Sequence, residues 1–197
     1  MARTPDLARR QELLDHIVDY LAHHGLAQAT LRPMAATLDV SINRLVHHFG
    51  SKEDLITAAL ARAIEIQIEV QDRWLRRTPR PTQVEIYRKW WKWINASPRN
   101  LALVRLNYEA VALETRVTGL AGEVRAQQIG VWRHGAEEHL VAEGLAPERA
   151  ALEASLAKAT FGGLVMDLLA TGEKRRLTAT VEVWLDRLEI EIKAARQ

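Results

Sequence analysis

Ser41, Asn43, Arg44 and His47 are the side chains of this sequence best placed to hydrogen-bond the edges of bases. In a DNA major groove an amide matches the paired donor and acceptor of adenine, and a guanidinium matches the two acceptors of guanine. Asn43 is therefore the candidate reader of adenine and Arg44 of guanine. Thr30, Arg32, His48 and Lys52 lie close by in sequence and carry groups suited to phosphate oxygens. Phosphate contacts of this kind set register and orientation, while base contacts specify sequence. For that chemistry the readers must stand on the outer side of a helix short enough to lie in the groove.

The local sequence supplies such a helix. From Ser41, a candidate N-cap, Ile42, Leu45 and Phe49 fall on one face, Asn43 and His47 lie opposite, and Arg44 is on the flank. Before it, Thr30 is expected to cap a helix carrying Leu31, Met34, Ala35 and Leu38 at helical spacing. Asp39, a residue that tolerates left-handed backbone, breaks that pattern. After it Gly50 closes the helix, and Ser51 with Asp54 resembles a capping box that opens a third. Lys52 falls in the first turn of that third helix, beside N–H groups that favour anions. Two short helices joined by a tight turn, the second amphipathic with donors outside, suit insertion into a major groove.

The wording VSINRLVHHFGSKEDL, residues 40–55, resembles the signature of the tetracycline-repressor (TetR) family: Val-Ser, then Leu, His-His-Phe, a Ser-Lys-Glu step and Leu. The resemblance is strong over about residues 10–60 and architectural beyond. It implies an all-helical homodimer that binds operator DNA and releases it when a small ligand binds. It also implies that Lys52 anchors a phosphate. Three positions depart from the family pattern: the turn Gly is Asp39, a helix Gly is Asn43, and the aromatic before His-His is Val46. A phosphate contact from that aromatic would be missing, and Asn43 with Arg44 widens the base readout instead.

Composition narrows the class further. A hydrophobic content of 48% over 197 residues supports a sizeable core rather than disorder. The net charge is only +2, so DNA affinity must come from local placement. Five of the seven histidines lie within residues 1–60, where a neighbouring phosphate would favour their cationic form. Without cysteine there are no disulfides, thiolate metal sites or cysteine nucleophiles. No apolar run approaches the ~20 residues of a membrane span, and no signal-peptide core is visible, so a soluble cytoplasmic protein is expected.

Along the chain, Thr4-Pro5-Asp6 reads as a helix start, followed by Leu7, Arg10, Leu14, Ile17, Val18 and Leu21 at helical spacing up to Gly25. Arg3, Arg9 and Arg10 are either solvated surface charges or phosphate contacts. A long linking helix is expected over about residues 52–77, ended by the prolines of Thr78–Thr82. Thr82 then starts a helix holding Trp90, Trp91 and Trp93. Three tryptophans so spaced cannot share one face, so at least one should meet a cavity or a partner. Further helices follow: one with a Leu101, Val104, Tyr108, Val111 and Ala112 stripe, one stopping at Gly144, and one from Pro147 to Gly172. A last runs over about Leu177–Lys193. Gly119 and Gly122 punctuate the middle of this series. No strand run is visible. The expectation is an all-α fold of about nine helices, with a helix-turn-helix head over residues 1–50 and a ligand-binding and dimerisation body over 51–197.

Within the body, Trp90, Trp93, Asn107, Tyr108, Glu109, Trp132 and Phe161 are candidate ligand contacts: aromatic walls with a few polar groups suit a mainly apolar or aromatic ligand. Glu109 or Glu114 beside the aromatics would admit a cation. The same aromatics would equally build a plain core. Small residues at Ser155, Ala159, Gly162 and Gly163 would allow close helix approach, and Val181, Trp184, Leu185, Leu188 and Ile192 form a stripe. Either helix could bury its stripe inside the chain or against a twin; in the resembling family the last two helices pair with their mates as a four-helix bundle. No phosphate loop, Gly-x-Ser-x-Gly or His-Glu-x-x-His pattern is present, and His134 with Glu137 and Glu138 reads as a solvated face, so neither enzyme, metal nor cofactor is expected. The sequence thus points to a ligand-responsive regulator, a repressor in the first instance. An activator of the same fold or a helical protein-interaction module is the alternative.

Overall fold

The computed structural model describes residues 4–77, 81–114 and 122–194; for residues 4–6, 113, 114 and 122–131 it describes the backbone alone. Among the described residues every regular element is an α-helix. They are α1 (Thr4–His24), α2 (Leu31–Thr37), α3 (Ile42–Phe49), α4 (Lys52–Arg77), α5 (Gln83–Ile94), α6 (Pro98–Glu114), α7 (Gly122–Ala142), α8 (Pro147–Thr171) and α9 (Lys174–Ala194). The fold is all-α, as the periodicities predict. The expected break at Thr78–Arg80 and the punctuation at Gly119 lie outside the described residues, as does Arg3.

The helix ends follow from local chemistry. Gly50 ends α3 with its N–H donating to Val46 O over 2.8 Å, and its φ of +82° favours glycine. Asp39 takes a φ of +51° between α2 and α3, the left-handed conformation a short polar side chain tolerates. Ser51 and Asp54 close a reciprocal cap: Asp54 N–H donates to Ser51 Oγ over 3.1 Å, and Ser51 N–H donates to Asp54 Oδ2 over 3.0 Å. The Ser51 hydroxyl also donates to Asp54 Oδ2 over 2.7 Å, and this bond first, then the Ser51 N–H, holds the Asp54 carboxyl below its usual range. Thr82 and Glu85 form the corresponding box at α5.

The cap expected from Thr30 is absent. Thr30 precedes α2 with extended backbone, yet its hydroxyl makes no hydrogen bond to the first turn. The residue three positions on is Pro33, which has no N–H to offer, and Thr30 starts the helix only through its carbonyl, bonded by Met34 N–H at 3.3 Å.

The chain forms two compact units, Met1–Val70 with Pro98–Val124, and Gln71–Ser97 with Arg125–Gln197. In the first, α1 packs against α2 and α6, and α2 against α3. Leu14, Ile17, Val18 and Leu21 are buried as predicted, whereas Leu7, at the start of the same stripe, is exposed. Three polar ties bind α6 to α1 and the turn after it: Arg99 Nε to Asp19 Oδ1 at 2.7 Å, Arg105 Nη2 to the Ala22 carbonyl at 2.9 Å, and Leu26 N–H to Glu109 Oε2 at 2.7 Å. The buried face of α6 is Leu103, Val104, Leu106 and Ala110; Val111 and Ala112, expected in the stripe, are exposed. Arg62 of α4 reaches Asp15 of α1 at 2.6 Å and Glu69 of its own helix at 2.7 Å. The Arg62 side chain is only 13% exposed, so these pairs feel less solvent screening than open surface pairs. They hold its pKa well above the ordinary guanidinium value.

In the second unit α9 packs against α5 and α8. The stripe Val181, Leu185, Leu188 and Ile192 is buried there, which settles the open question about that stripe: it is core of the chain itself. Trp184 is half-buried. Trp91 Nε1 donates to Thr178 Oγ1 over 3.0 Å and Arg88 Nε lies 2.8 Å from Glu182, joining α5 to α9. No helix among the described residues is long and apolar enough to cross a membrane.

Candidate nucleic-acid interface and aromatic clusters

The candidate reading helix, α3, is built from both its ends. Ser41 caps α3 by accepting from Arg44 N–H over 3.1 Å, fixing the first turn. Leu45 and Phe49 are buried and hold the inner side. Arg10, half-buried on α1, donates from Nε to the His48 carbonyl at 3.2 Å and lays its guanidinium 4.8 Å from the centre of the Phe49 ring. A cation at a helix C-terminus meets the negative end of the dipole and an aromatic face at once. Arg10 is thus more than a solvated charge: it ties α1 to the C-terminal end of α3. Arg9 is exposed.

On the outer side Asn43, Arg44 and His47 are exposed, together with Ile42 and Val46. Ile42 therefore stands at the rim of the helix rather than in its buried face, where the spacing put it. His47 meets His48 with ring centres 5.3 Å apart in an edge-on arrangement, and His48 is half-buried. Thr30 and Arg32 are exposed at the start of α2, and Lys52 is half-buried in the first turn of α4. Among the described residues no group of histidines and carboxylates could hold a metal ion.

The seven ligand candidates fall in separate places. Trp90 is buried at the centre of one cluster, with ring centres 5.2 Å from Trp93, 4.7 Å from Trp132 and 5.1 Å from Trp74, each edge to face. Its indole N–H donates to Gln71 Oε1 over 3.2 Å. Phe161 belongs to a second cluster, 5.9 Å from Tyr87, 6.1 Å from Trp91 and 6.2 Å from Trp184. Neighbouring tryptophans of α5 thus enter different clusters, which is how one helix buries residues that cannot share a face. Burial pushes the Tyr87 hydroxyl up to about 12.

Asn107, Tyr108 and Glu109 stand on α6 in the first unit. Asn107 Nδ2 lies 3.5 Å from Gln67 Oε1. Tyr108 is half-buried, and burial raises its pKa. Glu109 places Oε2 on the Leu26 N–H, and Oε1 lies 3.0 Å from Arg105 Nε. The side chain of Glu114 lies outside the described residues. Trp74, Tyr87 and Trp184 were not among the sequence candidates. Their common signal, aromatic type on helices that also carry buried apolar stripes, does not say which cluster each joins.

A three-helix head whose last two helices form a capped, tight-turned corner with polar groups outside is a helix-turn-helix DNA-binding domain. Residues 13–59 match the family model for bacterial regulatory proteins of the tetR family. No curated protein matches the sequence. Over nine-tenths or more of its length the chain shares its fold with solved structures of transcriptional regulators. A TetR transcriptional regulator from Legionella pneumophila superposes with a TM-score of 0.77 at 13% identity, over 95% of this chain and 98% of that one. A transcriptional regulator from Rhodococcus sp. Rha1 gives 0.73 at 19%, over 90% and 94%. A protein from Saccharomonospora viridis, solved in complex with choline, gives 0.74 at 15%, over 91% and 96%.

Proposed function

We propose that the chain is a ligand-responsive repressor that binds a palindromic operator as a homodimer in the cytoplasm. Residues 1–50 serve as the DNA-binding domain, and 51–197 bind ligand and dimerise. The observation that carries the reading is α3 itself: Leu45 and Phe49 are sunk into the head while Asn43, Arg44 and His47 are left in solvent. Arg44 reads guanine and Asn43 adenine, with Ser41 and His47 beside them. Thr30, Arg32, His48 and Lys52 hold phosphates. Thr30 suits this well, because its hydroxyl is not used as a cap.

Dimerisation is supported by an open face on the last two helices. Leu152, Leu156 and Met166 on α8 and Val183 and Ile190 on α9 are exposed, Leu152 at 62% and Ile190 at 66%. On α8 they are interleaved with the exposed small residues Ser155, Ala159 and Gly163, at the spacing of a helix–helix seam. A twofold pair would set two heads about 34–36 Å apart, one turn of DNA. The effector is a small, mainly apolar or aromatic molecule, with Trp90, Trp93 and Trp132 as its first candidate walls and Phe161 in the neighbouring cluster. Choline in the Saccharomonospora viridis structure supports a small organic effector for this fold. Release follows if the ligand binds the DNA-competent and incompetent states unequally, by about 1–3 kcal/mol.

The test is selection of bound duplexes from a random pool, then anisotropy titrations on the recovered sequence at several salt concentrations. Arg44→Ala should relax the preference at one base pair by about 10- to 100-fold. Lys52→Ala should weaken binding to all sequences alike and flatten the salt dependence by about one unit of slope. Identical behaviour of the two variants would refute the division into readers and anchors.

A further inference from the structure

We propose that Val46 reads the 5-methyl group of a thymine in each half-site, so that at one operator position an apolar contact, not a hydrogen bond, decides affinity. The inference rests on α3 being the reading helix. Among the described side chains up to residue 70 the large apolar ones left exposed are Leu7, in the first turns of α1, and Ile42 and Val46, at 38% and 45%. Ile42 and Val46 are one helical turn apart and both on α3, while Leu45 and Phe49 of the same helix are buried. Scattered exposed apolar residues need no explanation; a pair concentrated on the one helix that must face DNA does.

Going round the outer side of α3, the order is Ile42, Val46, Asn43, His47, Arg44. The face therefore grades from apolar, through amide and imidazole, to cationic. Val46 flanks Asn43 on the side away from Arg44. The backbone beneath it is fixed, because the Val46 carbonyl accepts from Gly50 N–H at 2.8 Å and the neighbouring His48 carbonyl is held by Arg10. A β-branched side chain on a helix keeps essentially one χ1 rotamer, so its methyls sit at a defined place. Valine can neither reach a phosphate by a long stem nor form a hydrogen bond. On the major-groove edges of the four bases the one apolar group is the thymine methyl. Beside an adenine-reading Asn43, a thymine is present in the same or the adjacent pair.

The experiment uses the full-length protein and the duplex recovered from the random pool. Each thymine of the half-site is replaced in turn, symmetrically, by deoxyuridine, which lacks only the methyl. At one position the wild type should lose about four-fold in affinity per half-site, and roughly 15-fold for both, the amount expected for one buried methyl. Val46→Ala, exposed and therefore tolerated by the fold, should bind the thymine duplex with that same loss and be indifferent to deoxyuridine there. Val46→Thr, close in shape but polar at one branch, should fall between. A preferred sequence in which no methyl matters, or in which the methyl effect persists in Val46→Ala, overturns the inference alone. A pool that yields no preferred sequence overturns both the inference and the assignment of α3.

Discussion

Glu153 on α8 is a carboxylate in a position that disfavours its charge. It is only 5% exposed, it pairs with Arg149, and the Glu191 carboxylate of α9 is hydrogen-bonded to it. Burial raises its pKa first and the negative charge of Glu191 second, against the opposing effect of Arg149. A carboxyl whose folded pKa is raised holds its proton longer folded than unfolded. Its stabilising contribution is complete below the ordinary carboxylate pKa and is lost as the pH climbs through the raised value. Glu153→Gln keeps the shape and removes the titration. Thermal melts should therefore show the variant gaining on the wild type as the pH rises above the ordinary carboxylate range, with the gap largest once Glu153 is ionised. A gap that narrows on raising the pH would show that Arg149 outweighs burial. Arg149 stays within 3.4 Å of Glu191, so it is not stranded by the substitution.

At the scale of elements, the attachment of α6 to α1 turns on Glu109. Its Oε2 caps the Leu26 N–H, and the preceding Gly25 has a φ of +80° that favours glycine, while a Cβ there would lie a tight 3.2 Å from that same oxygen. Removing the acceptor strands the Leu26 N–H, so Glu109→Ala should lower stability in urea melts by about 1.5–3 kcal/mol, the range for a hydrogen bond to a charged group. Glu109→Gln, which keeps a carbonyl acceptor, should recover more than half of that loss. Equal losses in the two variants would mean that the ion pair with Arg105, not the hydrogen bond, is what matters. This tie also shows where sequence reading stops. Helix ends were legible wherever the signal was local: the Ser51–Asp54 cap, Gly50, Gly144, Pro147 and Gly172 all mark the ends the structure has. Thr30 failed as a cap because Pro33 removes the donor it needed. The buried side of α6 was not legible, since Leu101, Leu103, Val104 and Leu106 surround the helix and no single phase stands out. Glu109 and Leu26 are 83 residues apart, and Arg10 and His48 are 38 apart, so no local pattern announces either contact. The exposure of Asn43, Arg44 and His47 was legible because Leu45 and Phe49 fix the inner side of α3 at helical spacing; that of Ile42 and Val46 was not, since an apolar side chain gives no local sign of being left in solvent.

For the whole molecule the decisive question is association. Gly163 lies inside α8, where glycine costs about 1 kcal/mol of helix stability relative to alanine. A Cβ built on it meets nothing within 4 Å, so nothing among the described residues explains the smallness. A twin helix approaching along Leu152, Leu156, Ala159, Gly163 and Met166 would. The stripe of α9 that looked most suited to pairing, Val181 to Ile192, is already used inside the chain, and the opposite side, Val183 and Ile190, is the one left open. Gly163→Leu should then separate two properties that usually move together. The isolated chain should unfold no earlier than wild type, because a better helix former replaces glycine in open space. Sedimentation velocity should nonetheless show the dimer weakened by at least about ten-fold, since a branched side chain would hold the two backbones apart. Ile190→Glu, placing like charges across a twofold axis, should act in the same direction through α9. Operator affinity should fall with both, because a monomer presents one α3 to one half-site and forfeits the linkage between the two heads. Dimers of undiminished strength in both variants would move the interface off this face.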